Sequence, residues 1–296
     1  MLCLGEPLVD LICERPVGSL TEADTFVPHF GGAVANVALL SARAGARVAL
    51  AAGAGADEWG RWLANKLDRA GVDLSHFKLI EDMQTPLAVT TLDQLGEPSF
   101  RIYGESRATV VNALWGGVEE AVAASGGLFI STGTLVGQAE REVTMRARDL
   151  ALALDHPVIF DPNLRLHRWN SRTDAIASAN ACVPGAMLVR VNAAEARLLT
   201  GEDDLERAAL ALRKAGARNV VISDRLRGAM LRGKIRLDVP VVPARVVSRI
   251  GAGNALTATL LARLQITGYY EPAIAAALKD AMADSARACE RWGACD

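Results

Sequence analysis

Short apolar runs alternate along this chain with amphipathic stretches of helical length, and that alternation leaves few folds open. Strand-like runs stand at 47–52 (RVALAA), 127–131 (GLFIS), 158–161 (VIFD), 187–192 (MLVRVN) and 219–223 (NVVIS). Between them lie amphipathic segments at 33–44, 58–70, 141–154, 175–182 and 205–215. Strand, helix, strand at this spacing is the pattern of βαβ units, and it predicts a mostly parallel sheet with helices on both faces. The strands read as continuous apolar runs, as a sheet buried on both sides requires. The opening MLCLGEPLVDLICERP reads as one buried strand. Two segments break the rhythm, about 8–30 and about 86–108. Their extended, alternating residues and turn formers (Gly18, Gly96, Pro98), without a helical pattern, predict a small β lid over one end of the sheet. No Ser/Gly/Pro-rich linker, repeat or low-complexity tract divides residues 1–296, so a single α/β domain with a lid is expected.

Bulk composition narrows the partners. A chain of 296 residues, 51% hydrophobic, is long enough to bury one large core. A formal net charge of −2 argues against nucleic acid or an anionic membrane held by bulk electrostatics. The five cysteines (Cys3, Cys13, Cys182, Cys289, Cys295) are odd in number and scattered, without a C-x-x-C pair. Neither a zinc site nor a disulfide framework is expected, and reduced thiols point to the cytoplasm. Glu6 and Asp10 interrupt the first apolar stretch, which has no basic region before it, so it does not read as a signal peptide. No apolar run approaches the roughly 20 residues that span a bilayer.

Two glycine patterns fail on inspection. Gly53-Ala54-Gly55 follows a strand, but a dinucleotide fingerprint needs its third glycine where Glu58 stands. Gly228 to Lys234 resembles a phosphate loop until Ile235, where Ser or Thr is required, and extended sequence follows where a helix should begin.

Four other pieces carry chemistry. In GGAVANVALLSARAG, Gly31 and Gly32 allow backbone to approach a ligand, and the amide of Asn36 both donates to and accepts from hydroxyls; tight packing of a small-residue helix explains the same residues. Gly251-Ala252-Gly253 opens a long apolar helix, and its free N–H groups and positive dipole end suit a phosphate; simple helix entry is the alternative. Asp161-Pro162-Asn163-Leu164-Arg165 ends a strand where open α/β sheets keep their sites. Asn192 and Glu195 lie one helical turn apart. They suit a hydrated magnesium ion, but taken alone they read first as an N-cap with its N3 glutamate.

Together these pieces stand in the order and spacing of the ribokinase (PfkB) carbohydrate kinase family, which the chain resembles over nearly its whole length. GEPLVD at the start, GADEWG at 55–60 and Trp292-Gly293-Ala294 near the end belong to the same resemblance. Among its members, fructokinases and 2-keto-3-deoxygluconate kinases are nearest in pattern. The resemblance implies a ribokinase-like three-layer α/β sandwich with a β lid, and ATP-dependent phosphorylation of a sugar hydroxyl with magnesium. By the same resemblance Asp10, Gly32 and Asn36 would bind sugar hydroxyls, and Arg101, Tyr103 and Arg107 would approach the sugar's far end. Asn163 and Arg165 would lie near the transferring phosphate, Asn192 and Glu195 would order magnesium and its waters, and Gly251, Ala252 and Gly253 would form the anion hole. Ser223, Arg225, Gly228 and Gly253 would contact the nucleotide.

Departures gather on the catalytic and nucleotide side. The family signature D-T-x-G-A-G-D reads Ser248-Arg249-Ile250-Gly251-Ala252-Gly253-Asn254 here, so an amide stands where the proton-accepting aspartate belongs. The motif T-L-G-x-x-G reads Ser223 to Gly228, with Arg225 at its first glycine. Three readings follow: a sugar kinase impaired at Asn254, a sugar-binding pseudokinase that acts as a sensor or regulator, and an engineered inactive variant. Arg101 and Arg107 tilt the substrate toward a sugar acid, since guanidinium groups pair bidentately with carboxylates; solvated lid arginines are the plain alternative. Exposed lid edges suggest a homodimer.

Overall fold

The computed structural model describes residues 1–104 and 117–295. Its opening run forms two strands where the sequence suggested one: β1 (Leu2–Leu4) and β2 (Leu8–Pro16). Gly5, Glu6 and Pro7 separate them, and Pro7 has no N–H to continue a ladder. At this break the chain leaves one sheet for another, and Glu6 falls at the crossing.

The remaining elements follow in chain order. They are β3 (Val27–Gly31), α1 (Ala33–Arg43), β4 (Ala49–Gly55), α2 (Glu58–Arg69), β5 (Phe77–Ile80), β6 (Leu87–Leu92) and β7 (Pro98–Tyr103). After the undescribed segment come α3 (Val118–Ala123), β8 (Leu128–Ile130), α4 (Gln138–Ala153), β9 (Val158–Phe160), α5 (Arg172–Ala181), β10 (Leu188–Asn192), α6 (Ala193–Thr200) and α7 (Leu205–Lys214). The chain closes with β11 (Asn219–Asp224), β12 (Gly228–Arg232), β13 (Arg236–Val239), α8 (Ala252–Ile266) and α9 (Ala273–Ala288). Each strand and helix expected from periodicity is present, displaced by at most a few residues at its ends. A short 3-10 turn, Leu20–Glu22, lies in the stretch expected to lack helix. The segment that mimics a phosphate loop is strand β12.

The main sheet has nine strands in the order β13-β12-β11-β10-β9-β8-β1-β4-β5. Pairing is parallel from β11 to β5, and antiparallel where β12 and β13 close the edge. Successive side chains on a strand face opposite ways, and two cores result. Cys3, Phe129, Ile159 and Leu188 pack with α1, α2, α8 and α9, whereas Leu2, Leu4, Leu128, Ile130, Val158 and Phe160 pack with α3 to α7. Each large apolar side chain so buried contributes about 1.5–3 kcal/mol. This is the three-layer sandwich the sequence suggested. A second, four-stranded sheet (β3-β2-β6-β7) is built from the two segments expected to be extended. Among the described residues, no helix is long and apolar enough to cross a membrane.

Candidate active site

The C-terminal ends of β1, β8, β9, β10 and β11 open into one cavity of about 820 Å³, which the second sheet helps to enclose. Ligands of open α/β sheets sit at this edge. Glu6 enters it from the β1–β2 crossing, Asp10 from β2, Asn36 from α1, Asn163 from the loop after β9, and Gly251 to Asn254 from the start of α8.

The paired glycines have separate steric reasons. A Cβ on Gly31 would lie 2.5 Å from Asp10 Oδ2, and one on Gly32 would lie 2.3 Å from the Glu6 carbonyl oxygen. Gly32 is also the α1 N-cap with φ +96°, a conformation that favours glycine. The glycines thus let Asp10 and the crossing strand close onto the helix start. Asp10 is 5% exposed, and burial pushes its carboxyl up to about 7 against the pull of His29 and Arg165. Glu6 pairs with Arg168 at 2.9 Å across the cavity floor. Asn36 Oδ1 accepts from Cys295 Sγ at 3.1 Å, so the chain's last described residue braces the Asn36 amide.

Beside α1, which packs on α8 through the Ser41 hydroxyl donating to the Ala258 carbonyl, Gly251 caps α8 with φ +81°, and a Cβ there would meet Ala294 Cα at 2.5 Å. The 15-residue helix presents its positive dipole end and free N–H groups to the cavity, and its first turn holds no acidic residue. Beneath it lies Arg190, 7% exposed, whose guanidinium bonds Asp161 Oδ2 (3.3 Å) and Ser223 Oγ (2.9 Å). A Cβ on Gly253 would be 2.9 Å from Arg190 Nη1, so a fixed cation reinforces the dipole. Asp161 Oδ2 also accepts from Thr257 Oγ1 at 2.6 Å, which fastens strand β9 to α8.

Asn163 takes a left-handed φ of +42° after β9 and donates from Nδ2 to Asn254 Oδ1 at 3.4 Å. Arg165 stacks on the Phe100 ring, 5.3 Å from its centroid, and its accessible surface faces the cavity. Desolvation lowers its pKa while Glu195, Asp161 and Asp10 oppose that fall. Asn192 and Glu195 form a complete capping box: Asn192 Oδ1 accepts from the Glu195 N–H, and Glu195 Oε2 accepts from the Asn192 N–H, each at 2.9 Å. Glu195 Oε1 takes a further bond from the Leu164 N–H (2.8 Å), and burial raises the carboxyl's pKa, helped by Asp161. Both its oxygens are therefore engaged. Among the described residues no three His, Cys, Asp or Glu side chains gather as a cation site would need. This donor set does not fit a metal held directly by the protein.

The structure separates some residues that the sequence grouped. Strand β7 turns Pro98, Phe100 and Ile102 to the cavity, so the period of two sends Arg101 and Tyr103 to the other face, where Tyr103 is 56% exposed. Neither is placed at a sugar's far end, and Arg107 lies outside the described residues. Gly228 is not on the cavity wall either. It opens β12 at φ +101°, where a Cβ would meet the Val239 carbonyl oxygen at 2.0 Å, so the strand turn accounts for it. Ser223 and Arg225 do line the cavity. Sequence reasoning missed Glu6, Arg168, Glu97 and Arg190. Arg190 had a signal, a cation inside the apolar run MLVRVN, whereas the Glu6–Arg168 pair spans 162 residues and left none.

The sequence and the fold match a known class. Residues 1–287 match the description "pfkB family carbohydrate kinase", and the chain belongs to that family. It is 30% identical over 266 residues to fructokinase-1 of Oryza sativa subsp. japonica, covering 89% of this chain and 82% of the relative. A fructokinase from Vibrio cholerae O395, solved with fructose, ADP and calcium ion, superposes with a TM-score of 0.85 at 26% identity, covering 99% of this chain and 94% of that one. Aminoimidazole riboside kinase from Salmonella enterica shares the fold, with a TM-score of 0.82 at 24% identity, covering 99% and 94% of the two chains.

Proposed function

We propose that this chain binds a sugar at Asp10, Gly32 and Asn36, holds a nucleoside triphosphate against the start of α8, and transfers the γ-phosphate to a sugar hydroxyl slowly. The observation that carries this reading is the meeting of these two groups of residues in one cavity. Asp10 and Asn36 offer acceptors and a donor to hydroxyls, and the N–H groups of α8 with Arg190 oppose the charge that develops on a phosphoryl group in flight. Asn163 and Asn254 flank the transfer position and orient the attacking hydroxyl. Asn254 has no basic lone pair, so the proton leaves without a side-chain base at that position, which costs about 10²–10⁴-fold in rate. A magnesium ion brought by the nucleotide would neutralise phosphate charge, and Asn192 and Glu195 would meet it only through water.

The relatives favour a neutral, fructose-like sugar. Arg101 no longer speaks for a sugar acid, which leaves Arg165 as the described arginine facing the sugar end with a free guanidinium edge. A second reading, a sugar-binding regulator in kinase form, is favoured by the acid-free first turn of α8. Calorimetry with fructose and a panel of sugars and sugar acids, run beside ADP release from ATP, tests both. Binding with slow ADP release supports the kinase, binding without release supports the regulator, and undetectable binding of every sugar overturns both.

A further inference from the structure

At the nucleotide end of the cavity, two arginines from distant parts of the chain converge on one carboxylate of the second sheet. Arg225, beyond the end of β11, grips Glu97 with both Nη groups, Nη2 lying 3.1 Å from Oε2. Arg249, two residues before the α8 cap, places Nε 2.8 Å from Glu97 Oε1. The Arg249 N–H and Nε also donate to the carbonyl oxygens of Gly96 (3.1 Å) and Leu95 (3.2 Å), which fixes this guanidinium beside the β6–β7 turn. All three ionic side chains line the same cavity as Gly251 to Asn254.

We propose that Arg225 and Arg249 form a clamp for the polyphosphate tail of the nucleotide, and that Glu97 is an internal anion occupying it until the nucleotide arrives. The proposal rests on the nucleotide site described above and names its ligands and its competitor. Two guanidinium groups around one carboxylate leave a net positive charge, and planar guanidinium forks match phosphate oxygens as well as they match a carboxylate. The occupant is also easily displaced. The side chains of Arg225, Glu97 and Arg249 remain 66%, 32% and 31% exposed, and accessible ion pairs of this kind are weak. A polyphosphate, which carries several charges, outcompetes a single carboxylate for the same two cations. Arg225 and Arg249 are also two of the positions at which the sequence departs from the family pattern, so the clamp belongs to this chain.

The test uses the full chain and needs no turnover. Inorganic tripolyphosphate and ADP are titrated calorimetrically into the native chain, Glu97→Gln, Arg225→Gln and the double variant Glu97→Gln/Arg225→Gln. Removing the competitor tightens tripolyphosphate about 3- to 10-fold, from the strength of exposed ion pairs. Arg225→Gln weakens it, and the gain from Glu97→Gln shrinks in the double variant because the two residues share one interaction. Unchanged or weaker tripolyphosphate binding in Glu97→Gln overturns the proposal and makes Glu97 a support of the site. Absence of tripolyphosphate binding in both the native chain and Glu97→Gln overturns it as well. Tripolyphosphate binding that follows the expected pattern while ADP does not bind upholds the clamp and removes the nucleotide reading alone.

Discussion

Asn163 and Asn254 face each other across 91 residues of sequence and 3.4 Å of space, one amide donating to the other at the place where the helix start meets the cavity. A carboxylate put in place of the Asn254 amide keeps the acceptor oxygen and gains a basic one. Asn254→Asp is therefore expected to raise kcat for ATP-dependent sugar phosphorylation by about 10²–10⁴-fold, with little change in sugar affinity. A coupled assay of ADP release on native chain and variant reads this directly. Equal turnover by the two proteins would mean that the proton leaves by another route.

Asp10 gives the proposed sugar site a pH dependence whose sign follows from its burial. Its carboxyl titrates near 3.8 when unfolded and at about 7 in the folded chain. Between those values the folded state holds the extra proton, so this group's contribution to stability falls as pH rises. Sugar binding runs the other way, because the ionised carboxylate offers both oxygens as charge-assisted acceptors to hydroxyls, whereas the protonated group turns one of them into a donor and accepts more weakly. Sugar affinity is expected to climb through pH about 7 and to lose that slope in Asp10→Asn. Calorimetry across the neutral range, with thermal unfolding of both proteins, checks the two opposite trends.

What was legible in the sequence was mainly periodic. Apolar runs gave the strands, and the split of Leu2 and Leu4 from Cys3 between two cores is the alternation a doubly covered sheet demands. In the sequence the glycine pairs read as places where backbone approaches a ligand; what the structure shows at Gly32 and Gly251 is close approach of the chain to itself, at the Glu6 carbonyl and at Ala294. Other features failed for identifiable reasons. Arg101 and Tyr103 were assigned by resemblance, although PSFRIY already alternates apolar with polar residues and so placed them opposite Phe100. The break at Gly5–Pro7 was hidden because apolar residues resume at once on either side of it, Leu2–Leu4 before and Leu8-Val9 after. The triad of Glu97, Arg225 and Arg249 joins residues 128 apart in sequence, and no local pattern announces such a meeting.

Gly251 is required twice over, by its φ of +81° and by contact with Ala294. Gly251→Ala forces a left-handed alanine and drives its Cβ into the C-terminal segment, at a cost of about 1–3 kcal/mol for the backbone strain alone. That segment also holds Asn36 through Cys295 and Arg43 through the Cys295 carbonyl. The substitution is therefore expected to lower the urea midpoint and to weaken sugar binding beside Asn36, as well as phosphate binding at α8. Loss confined to phosphate binding would show that the tail does not link the two sites.

Among the described residues, Arg190 and Asp161 form a buried ion pair in which each member has one further hydrogen-bond partner and one unbonded polar atom. Arg190 has Ser223 besides Asp161, while Asp161 has Thr257, and among the described residues Asp161 Oδ1 and Arg190 Nε make no hydrogen bond. With both side chains nearly inaccessible, removal of one partner strands a charge in a low-dielectric interior, at a cost of about 3–5 kcal/mol. Arg190→Leu is accordingly expected to destabilise the fold by that amount. Arg190→Leu combined with Asp161→Leu should regain much of it, because no charge is then left unpaired. The double variant separates structure from chemistry: its unfolding midpoint recovers, while tripolyphosphate binding at the α8 start stays weak for want of the cation under Gly253. Recovery of both properties would reduce Arg190 to a packing element and leave the helix dipole as the source of anion binding.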